Sequence, residues 1–311
     1  MKAVRIHAYG DASVLRYEDA PMPTLGDDDV LVRVVGSSVN PVDWKIREGH
    51  LRGMVPYAMP FIPGWDVSGV VEAVGKQAKK FKAGDAVFSR PDIARNGTCA
   101  EFVAIRESEL ARKPATISHI EAGVLPLAGL AAWESLVNVA KVGPGQRVLV
   151  HAAAGGVGTI AVQLAKARGA FVVGTASAAN RALVESLGVD EFIDYKSQRL
   201  TDAAKRIDVV FDTVGGDAQK QSWEVMSRGG ILVSIVGEPS AELAVKYGMR
   251  SAFVFIKPDA PALEEMARLV DAGKLRPIVG AEFALADIRR AHALSEAGHS
   301  VGKIALYVGR P

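Results

Sequence analysis

The fold of this 311-residue chain is best indicated by one glycine-rich segment, His151-Ala152-Ala153-Ala154-Gly155-Gly156-Val157-Gly158. It follows the apolar run Val148–Val150 and precedes a helical pattern over residues 157–168. A glycine-rich turn between a strand and a helix is the context of a dinucleotide-binding loop. The alternative is a tight turn without a ligand, and the sequence around the loop has to decide between the two.

The spacing of this loop fits Gly-x-Gly-x-x-Gly, with Ala153 at the first glycine position and Gly155 and Gly158 at the other two. Glycine at position 155 lets the backbone approach a pyrophosphate, and glycine at position 158 lets helix and strand pack closely. The helix that follows offers free N–H groups and the positive end of its dipole to an anion. We therefore predict that Gly155, Gly156, Val157 and Gly158 bind a dinucleotide.

Apolar strand-like runs alternate with helical segments on both sides of this loop. Short continuous runs of this kind are typical of strands covered by helices on both faces, and the alternation predicts a doubly wound parallel sheet, hence an α/β fold. The predicted strands are 148–150, 171–174, 191–193, 209–211 and 231–236, and the predicted helices are 157–168, 180–187 and 218–226.

The first 115 residues have a different pattern, with short β-branched runs such as Val30–Val35 and Val67–Val74 bounded by turn residues. Such a pattern predicts a small barrel-like β domain. A capping box begins at Ser118 and marks the start of a helix. Near the end of the chain we expect a helix over 262–272 and a strand over 303–308 that returns to the β domain.

The end of the second strand indicates which dinucleotide binds. An NAD site usually places an acidic residue there to bind the ribose diol. The segment Thr175–Arg181 contains no acid, and its one charge is Arg181. A 2′-phosphate would find the hydroxyl of Ser177 and the guanidinium of Arg181, so we predict NADPH as the cofactor. The alternative for Arg181 is a solvated position on a helix surface.

Composition excludes several classes of protein. Lys and Arg number 37 against 35 Asp and Glu, so the clustered basic excess of a nucleic-acid binder is not expected. The single cysteine, Cys99, allows neither an internal disulfide nor a zinc cluster of thiolates. The longest apolar stretch is too short for a membrane span, and the charged N-terminus is unlike a signal peptide. We expect a cytoplasmic protein without nucleic-acid or membrane partners.

Together with the loop, further motifs resemble those of the medium-chain dehydrogenase/reductase family, in its zinc-free quinone oxidoreductase-like branch. The resemblance covers essentially the whole chain. It is carried by Asn40-Pro41-Val42-Asp43-Trp44-Lys45, Gly64-Trp65-Asp66-Val67-Ser68-Gly69, Gly97-Thr98-Cys99-Ala100-Glu101-Phe102, Leu125-Pro126-Leu127-Ala128-Gly129-Leu130, Asp212-Thr213-Val214-Gly215 and Gly302-Lys303-Ile304.

The resemblance implies a GroES-like β-barrel domain built from residues 1–120 and 258–311, and an inserted Rossmann domain at 121–257. It also implies that relatives dimerise, through strands near Ile231–Val236 and Phe253–Ile256 here. The family's zinc alcohol dehydrogenases place zinc ligands where this chain has Asn40 and Trp65. Tryptophan has no lone pair for a metal and asparagine is a poor zinc ligand, so we expect no metal.

By the same resemblance, residues along both domains bind NADPH. Lys303 faces the cofactor in this interpretation, and a solvated lysine is its alternative; Tyr195 is either near the adenosine phosphate or a strand-end aromatic. The implied residues are Lys45, Gly155–Gly158, Ser177, Arg181, Tyr195, Val214, Val236, Phe253, Val254, Phe255 and Lys303.

Three residues are candidates for the substrate pocket, each with an alternative. The amide of Asn40 donates a hydrogen bond to the substrate carbonyl, or it orders the turn before Pro41. Trp65 lines the pocket, or it fills the core. Tyr57 supplies a proton, or solvent does.

The predicted function is NADPH-dependent hydride transfer to quinones or to the C=C of α,β-unsaturated carbonyls, without zinc, by a homodimer. Two alternatives remain open: a 2-enoyl thioester reductase, and a crystallin-like or regulatory protein that binds NADPH without turnover. The motif Gly298-His299-Ser300-Val301-Gly302 matches a hydrolase nucleophile elbow. However, that motif needs a strand before it and a helix after it, and the pattern here is the reverse.

Overall fold

A computed structural model describes residues 1–309 of the chain. Contacts divide it into two compact units, one of residues 1–127, 257–273 and 277–309 and the other of residues 128–256 and 274–276. The fifteen strands of the described part are β1 Lys2–Ile6, β2 Leu15–Asp19, β3 Asp29–Val39, β4 Val67–Val74, β5 Ala86–Ser89, β6 Phe102–Arg106, β7 Leu110–Arg112, β8 Arg147–Val150, β9 Phe171–Ala176, β10 Glu191–Asp194, β11 Ile207–Asp212, β12 Met226–Ser234, β13 Arg250–Phe253, β14 Val279–Ala284 and β15 Lys303–Tyr307.

Ten α-helices connect these strands within the described part of the chain. They are α1 Pro41–Arg47, α2 His119–Gly123, α3 Pro126–Trp133, α4 Gly156–Ala167, α5 Arg181–Ser186, α6 Leu200–Ala203, α7 Gly216–Val225, α8 Ala241–Tyr247, α9 Ala260–Asp271 and α10 Ile288–Glu296. A π-helical segment, Glu134–Val139, continues from α3. No helix within residues 1–309 is both long and apolar enough to cross a bilayer.

The second unit contains a six-stranded parallel sheet in the order β10-β9-β8-β11-β12-β13. This order places the first strand, β8, next to the switch point where the sheet reverses direction of growth, as in dinucleotide-binding folds. Leu149, Val173 and Val210 on its central strands are completely buried with Trp223 of α7. The predicted doubly wound α/β sheet is confirmed, and each predicted strand and helix of this region has its counterpart.

Two details of this sheet differ from the expectation. The strand expected near Phe253–Ile256 ends at Phe253, where its pairing with β12 stops. The strand containing Ile231 lies inside the sheet, since β12 pairs with β11 on one side and β13 on the other. Only β13, at this end of the sheet, has a side without a partner strand in the described chain.

The first unit is built around a seven-stranded sheet in the order β14-β15-β3-β4-β5-β7, with β6 also pairing with β3. β15, from the end of the chain, pairs antiparallel with β3, so the predicted return of the C-terminal strand is confirmed. Helix α2 begins where the capping box predicts, with Ser118 accepting from Glu121 N. Because α2 packs on β3 and β4, this unit extends to Leu127, past the predicted boundary at residue 120.

Candidate active site

The glycine loop joins β8 to α4 in the second unit. Gly155 is the N-cap residue of α4, no side chain caps this end, and the first turn contains no acidic residue. Its first N–H groups are therefore free of side-chain partners, the arrangement that binds anions. Gly158 lies against the loop backbone, because a Cβ there would be 2.1 Å from the carbonyl oxygen of Ala152. The loop thus fits the pyrophosphate of a dinucleotide.

A buried histidine fixes the start of this loop. His151 Nε2 lies 2.8 Å from the Ser222 hydroxyl, and its Nδ1 lies 3.3 Å from the Thr175 hydroxyl. Complete burial lowers the pKa of His151 to about 4, so the imidazole is neutral near pH 7. Thr175 also accepts the N–H of Ala152. His151 therefore ties β8 to β9 and α7, a structural role.

Apolar side chains are exposed just beyond four successive strands of the parallel sheet. Strands that run parallel end at the same edge, which is where open α/β sheets bind ligands. Exposed valines and aromatic residues there supply apolar surface that the base rings of a dinucleotide can cover. These residues are Tyr195 after β10, Val214 after β11, Val236 after β12, and Phe253 and Phe255 at and after β13; Val254, between the last two, is buried.

The loop that presents Val214 is held by a buried carboxylate. Asp212, at the end of β11, accepts the backbone N–H groups of Val214 and Gly215 at 3.0 and 2.7 Å. It also accepts the hydroxyl of Ser234 from β12 at 2.9 Å. The motif Asp212-Thr213-Val214-Gly215 thus has a local physical reason: its aspartate keeps Val214 at the sheet edge.

The end of β9 differs in two ways from the expectation for a 2′-phosphate site. The Arg181 guanidinium is already paired with Glu185 at 2.8 Å and lies over the Phe192 ring, 5.2 Å from its centroid. Asp194, at the end of the neighbouring β10, accepts from Lys196 N and Ser197 Oγ. Neither acid lies in the segment Thr175–Arg181. Both weaken the positive potential there, since a nearby carboxylate repels a phosphate.

A buried polar cluster lies in the first unit, around the carboxylate of Asp66. Asp66 Oδ2 accepts the Ser38 hydroxyl at 2.5 Å and the Asn40 amide at 2.8 Å, and it forms an ion pair with Lys303 at 3.3 Å. Its Oδ1 accepts the backbone N–H of Leu127 at 2.6 Å. Asp66 is fully buried. A buried carboxylate needs such partners, and here both of its oxygens are engaged.

This cluster accounts for the whole side chain of Asn40. Its amide N–H groups donate to Ser38 and Asp66, and its oxygen accepts from Lys303. Donation to a substrate carbonyl would therefore require exchange of one of these bonds. Asn40 also orders the turn before Pro41, because its backbone N–H donates to Asp43 Oδ2 at 2.6 Å and it is the N-cap residue of α1.

Two predicted lysines have different surroundings. Lys303 is only 5% exposed, so its alternative interpretation as a solvated residue is wrong. The ion pair with Asp66 is the physical reason, since a buried ammonium requires a counter-charge. Lys45, in α1, is half-buried, with its Nζ 5.6 Å from the centroid of the Trp44 ring.

The aromatic candidates lie beside this cluster. Trp65 is fully buried in the hydrophobic core of the unit, as its core-filling alternative expects, although its Nε1 has no hydrogen-bond partner. Tyr57 stacks on Phe61 and donates its hydroxyl proton to Ile93 O at 2.6 Å. Burial raises the pKa of Tyr57, which makes the phenol a weaker acid and favours solvent as the proton source.

The side chains in this part of the first unit are poor zinc ligands. Asn40 is occupied by its neighbours, Trp65 offers no lone pair, and burial raises the pKa of the Cys99 thiol well above its usual range. Across residues 1–309, no group of three or more His, Cys, Asp or Glu side chains is placed to hold a metal ion.

Comparisons with known proteins agree with this fold. The profile described as alcohol dehydrogenase GroES-like domain matches residues 26–132, and the one described as zinc-binding dehydrogenase matches residues 187–306. The chain is 36% identical to the chloroplast envelope quinone oxidoreductase homolog of Arabidopsis thaliana over 98% of this chain and 97% of the relative. It is 35% identical to the NADPH-dependent alkenal/one oxidoreductase of the same plant, over 99% of this chain and 79% of that protein.

Solved structures give the same assignment. The quinone oxidoreductase of Coxiella burnetii superposes with a TM-score of 0.92 at 32% identity, covering 99% of both chains. The Escherichia coli quinone oxidoreductase complexed with NADPH superposes with a TM-score of 0.87 at 26% identity, over 99% of this chain and 100% of that one. The chain belongs to the medium-chain dehydrogenase/reductase family, in its quinone oxidoreductase-like branch.

Proposed function

We propose that this protein is an NADPH-dependent oxidoreductase that transfers hydride to quinones or to the C=C of α,β-unsaturated carbonyls without zinc. The observation that carries the proposal is the donor set of the Asp66 cluster. Where zinc alcohol dehydrogenases of the family place metal ligands, this chain has an amide bonded to Asp66 and Lys303 and a buried indole. The relatives named for quinone and alkenal/one reduction support the same chemistry.

The chemistry follows from what each group supplies. Bound NADPH supplies a hydride. The glycine loop holds its pyrophosphate, and Val214 and Val236 cover its rings at the sheet edge. A conjugated carbonyl spreads the developing negative charge onto its oxygen, so no metal is required there. Simple alcohols lack this conjugation, and their oxidation usually needs zinc or a placed base to stabilise an alkoxide.

For the cofactor, the proposal is NADPH rather than NADH, bound through Ser177 and Arg181. The E. coli relative with NADPH supports a role for this cofactor in the branch. Glu185 and Asp194 reduce the electrostatic preference for NADPH over NADH. Discrimination between the two cofactors therefore depends on Arg181 exchanging its ion pair with Glu185 for one with the 2′-phosphate. A guanidinium binds a dianionic phosphate with two N–H groups, which is stronger than its exposed pair with one carboxylate.

The proposal extends to assembly as a homodimer through β13. This strand has one unpaired side in the described chain and carries the exposed Phe253. Pairing between two copies would remove an apolar edge that otherwise promotes aggregation. Light scattering at micromolar concentration tests this point, and a strictly monomeric species contradicts it.

The function itself is tested by the oxidation of NADPH with a panel of acceptors. Quinones and short enones should be reduced, enoyl thioesters should react more slowly, and NADP⁺ should not be reduced by primary or secondary alcohols. Gly155→Ala serves as the matched control for cofactor binding, because it alters the glycine loop and leaves the Asp66 cluster intact. Equal rates with alcohols and enones would contradict the reaction type. No change at the nicotinamide with any acceptor would favour a binding protein without turnover.

A further inference from the structure

Arg90 is a buried arginine without a partner. It follows β5 directly and is 2% exposed. Its Nε has no hydrogen-bond partner, and no hydrogen bond or ion pair within residues 1–309 includes this side chain. A buried charge without a partner is strongly unfavourable, so buried arginines are almost always paired.

The same unit shows what a structural arginine looks like here. Arg47 is fully buried as well, and its guanidinium bonds to Gly10 O, Glu48 and Glu296 at 2.6 to 3.0 Å. Arg95 forms a bidentate pair with Asp29 at 2.7 and 2.8 Å. Arg90 has none of these features, so structural pairing does not account for it.

The carboxylates whose charges act on Arg90 are Asp66, Asp92 and Glu109. Each of them is bonded to another cation: Asp66 to Lys303, and Asp92 and Glu109 both to Arg106 at 3.0 and 2.9 Å. The guanidinium therefore keeps its donors free although acids are near. Only its Nε is both inaccessible and unpartnered, which leaves the two terminal nitrogens within reach of a ligand.

Arg90 also belongs to the surroundings of the candidate active site. In the antiparallel register of β4 and β5, Val67 pairs with Ser89, so Arg90 lies opposite Asp66 just beyond the strand ends. The Tyr57 hydroxyl donates to Ile93 O, three residues after Arg90. The ring of Tyr57 lies 6.1 Å from that of Trp65. Two further orphaned atoms, Asp43 Oδ1 and Trp65 Nε1, are found in this same neighbourhood. Unsatisfied buried polar atoms that gather in one place indicate a site for a polar ligand.

We propose that the terminal nitrogens of Arg90 donate hydrogen bonds to the carbonyl oxygen of the quinone or enone and stabilise the negative charge that develops there. This inference rests on the proposed function and names a further catalytic residue for it. The sequence alone does not indicate a role for Arg90, because a single arginine after a strand is usually a surface residue. Asn40, the residue selected for this role, has its amide protons engaged by Ser38 and Asp66.

The step balances without any further reagent. Hydride adds to the β-carbon of the enone, the π pair of the Cα=Cβ bond forms a new double bond between the α-carbon and the carbonyl carbon, and the C=O π pair becomes a lone pair on the enolate oxygen. The cofactor is oxidised by two electrons, and the enone is reduced by two. Water then protonates the α-carbon as the carbonyl re-forms. The enolate oxygen is the atom that a desolvated guanidinium stabilises most, since its charge appears only during the reaction.

The test compares Arg90→Met with Arg90→Lys and with Arg112→Met, a control in which an exposed arginine of the same unit receives the same substitution. We expect Arg90→Met to lower kcat with a quinone or an enone by about 10²-fold, the usual effect of removing one oxyanion donor. NADPH affinity, measured by fluorescence titration, should be unchanged. Arg90→Lys should recover part of the activity, and millimolar guanidinium should partly rescue Arg90→Ala.

Thermal stability provides a readout that separates this role from a structural one. Removal of an unpaired buried charge should leave the Tm of Arg90→Met unchanged or raise it. A large fall in Tm, or unchanged kcat in an enzyme whose wild type reduces quinones or enones, overturns the proposal while leaving the proposed function intact. So does an effect on KM alone that is confined to carboxylate-bearing acceptors. A wild type that reduces none of the acceptors overturns both.

Discussion

Replacement of Gly158 by alanine would place a methyl group against backbone atoms that cannot rotate away. The new Cβ would lie 2.1 Å from the carbonyl oxygen of Ala152 and 2.9 Å from the Cα of Ala153. Real Cβ atoms essentially never approach closer than 3.0 Å, so the loop and α4 must separate by about 1 Å. Overpacking of this kind costs about 1–3 kcal/mol.

Helix propensity opposes this cost. Alanine is more favourable than glycine inside a helix by about 1 kcal/mol. We therefore expect a net loss of up to about 2 kcal/mol for Gly158→Ala, which lowers Tm by up to about 8 °C at roughly 2–4 °C per kcal/mol. Differential scanning fluorimetry without added cofactor measures the change. A Tm equal to or above that of the wild type would refute the packing argument.

Gly155→Ala is the matched control, because the same substitution in the same loop has a different expected effect. Its Cβ would contact Ala152 O at 3.2 Å, and the φ of −78° is accessible to alanine. Stability should stay near that of the wild type. NADPH affinity should fall, since the methyl group would occupy the space through which the backbone approaches the pyrophosphate. Unchanged affinity for NADPH would refute the assignment of the loop.

Three further predictions concern the cofactor, the buried acid and the metal. Arg181→Ala should raise the KM for NADPH by about ten-fold and leave NADH nearly unaffected, and equal effects on both would contradict the 2′-phosphate site. Burial raises the pKa of Asp43 from 3.8 to about 7, so the folded state holds a proton that the unfolded state loses. The free energy of unfolding should therefore fall as pH rises from about 4 to 7, by up to about 4 kcal/mol relative to Asp43→Asn; identical pH profiles in denaturant titrations would disprove this. Purified protein should carry no stoichiometric zinc by elemental analysis, and activity should survive chelators; one zinc per chain, with activity lost on chelation, would contradict the donor-set argument.

The local features of this fold could be predicted from the sequence because each depends on neighbouring residues. The loop before α4 requires glycine at fixed spacing, and the capping box at Ser118 is complete within four residues. The burial of Lys303 could not be predicted in this way. Its counter-charge, Asp66, lies 237 positions earlier in the chain, and nothing near Lys303 indicates the pairing.

The role of Arg90 could not be predicted from the sequence either. What sets it apart is that Lys303 and Arg106 already bind the acids around it, which is a property of three-dimensional arrangement. Asp66 did leave a signal in the sequence. It is an acid directly before the apolar strand β4, where an unpaired charge would be costly, and that position alone indicates a buried partner.

The position of β15 between β14 and β3 has a consequence for how the chain is made. Ribosomes release proteins from the N-terminus, so all of the parallel sheet emerges before β15 can pair with β3. Until then Asp66 lacks its ammonium partner, and the side of β3 that pairs with β15 stays unpaired while more than two hundred residues are synthesised. We therefore expect chaperones to bind the first unit while the chain is still being synthesised. If translation is stalled just before residue 303, the inserted domain should resist protease while the first hundred residues are cleaved.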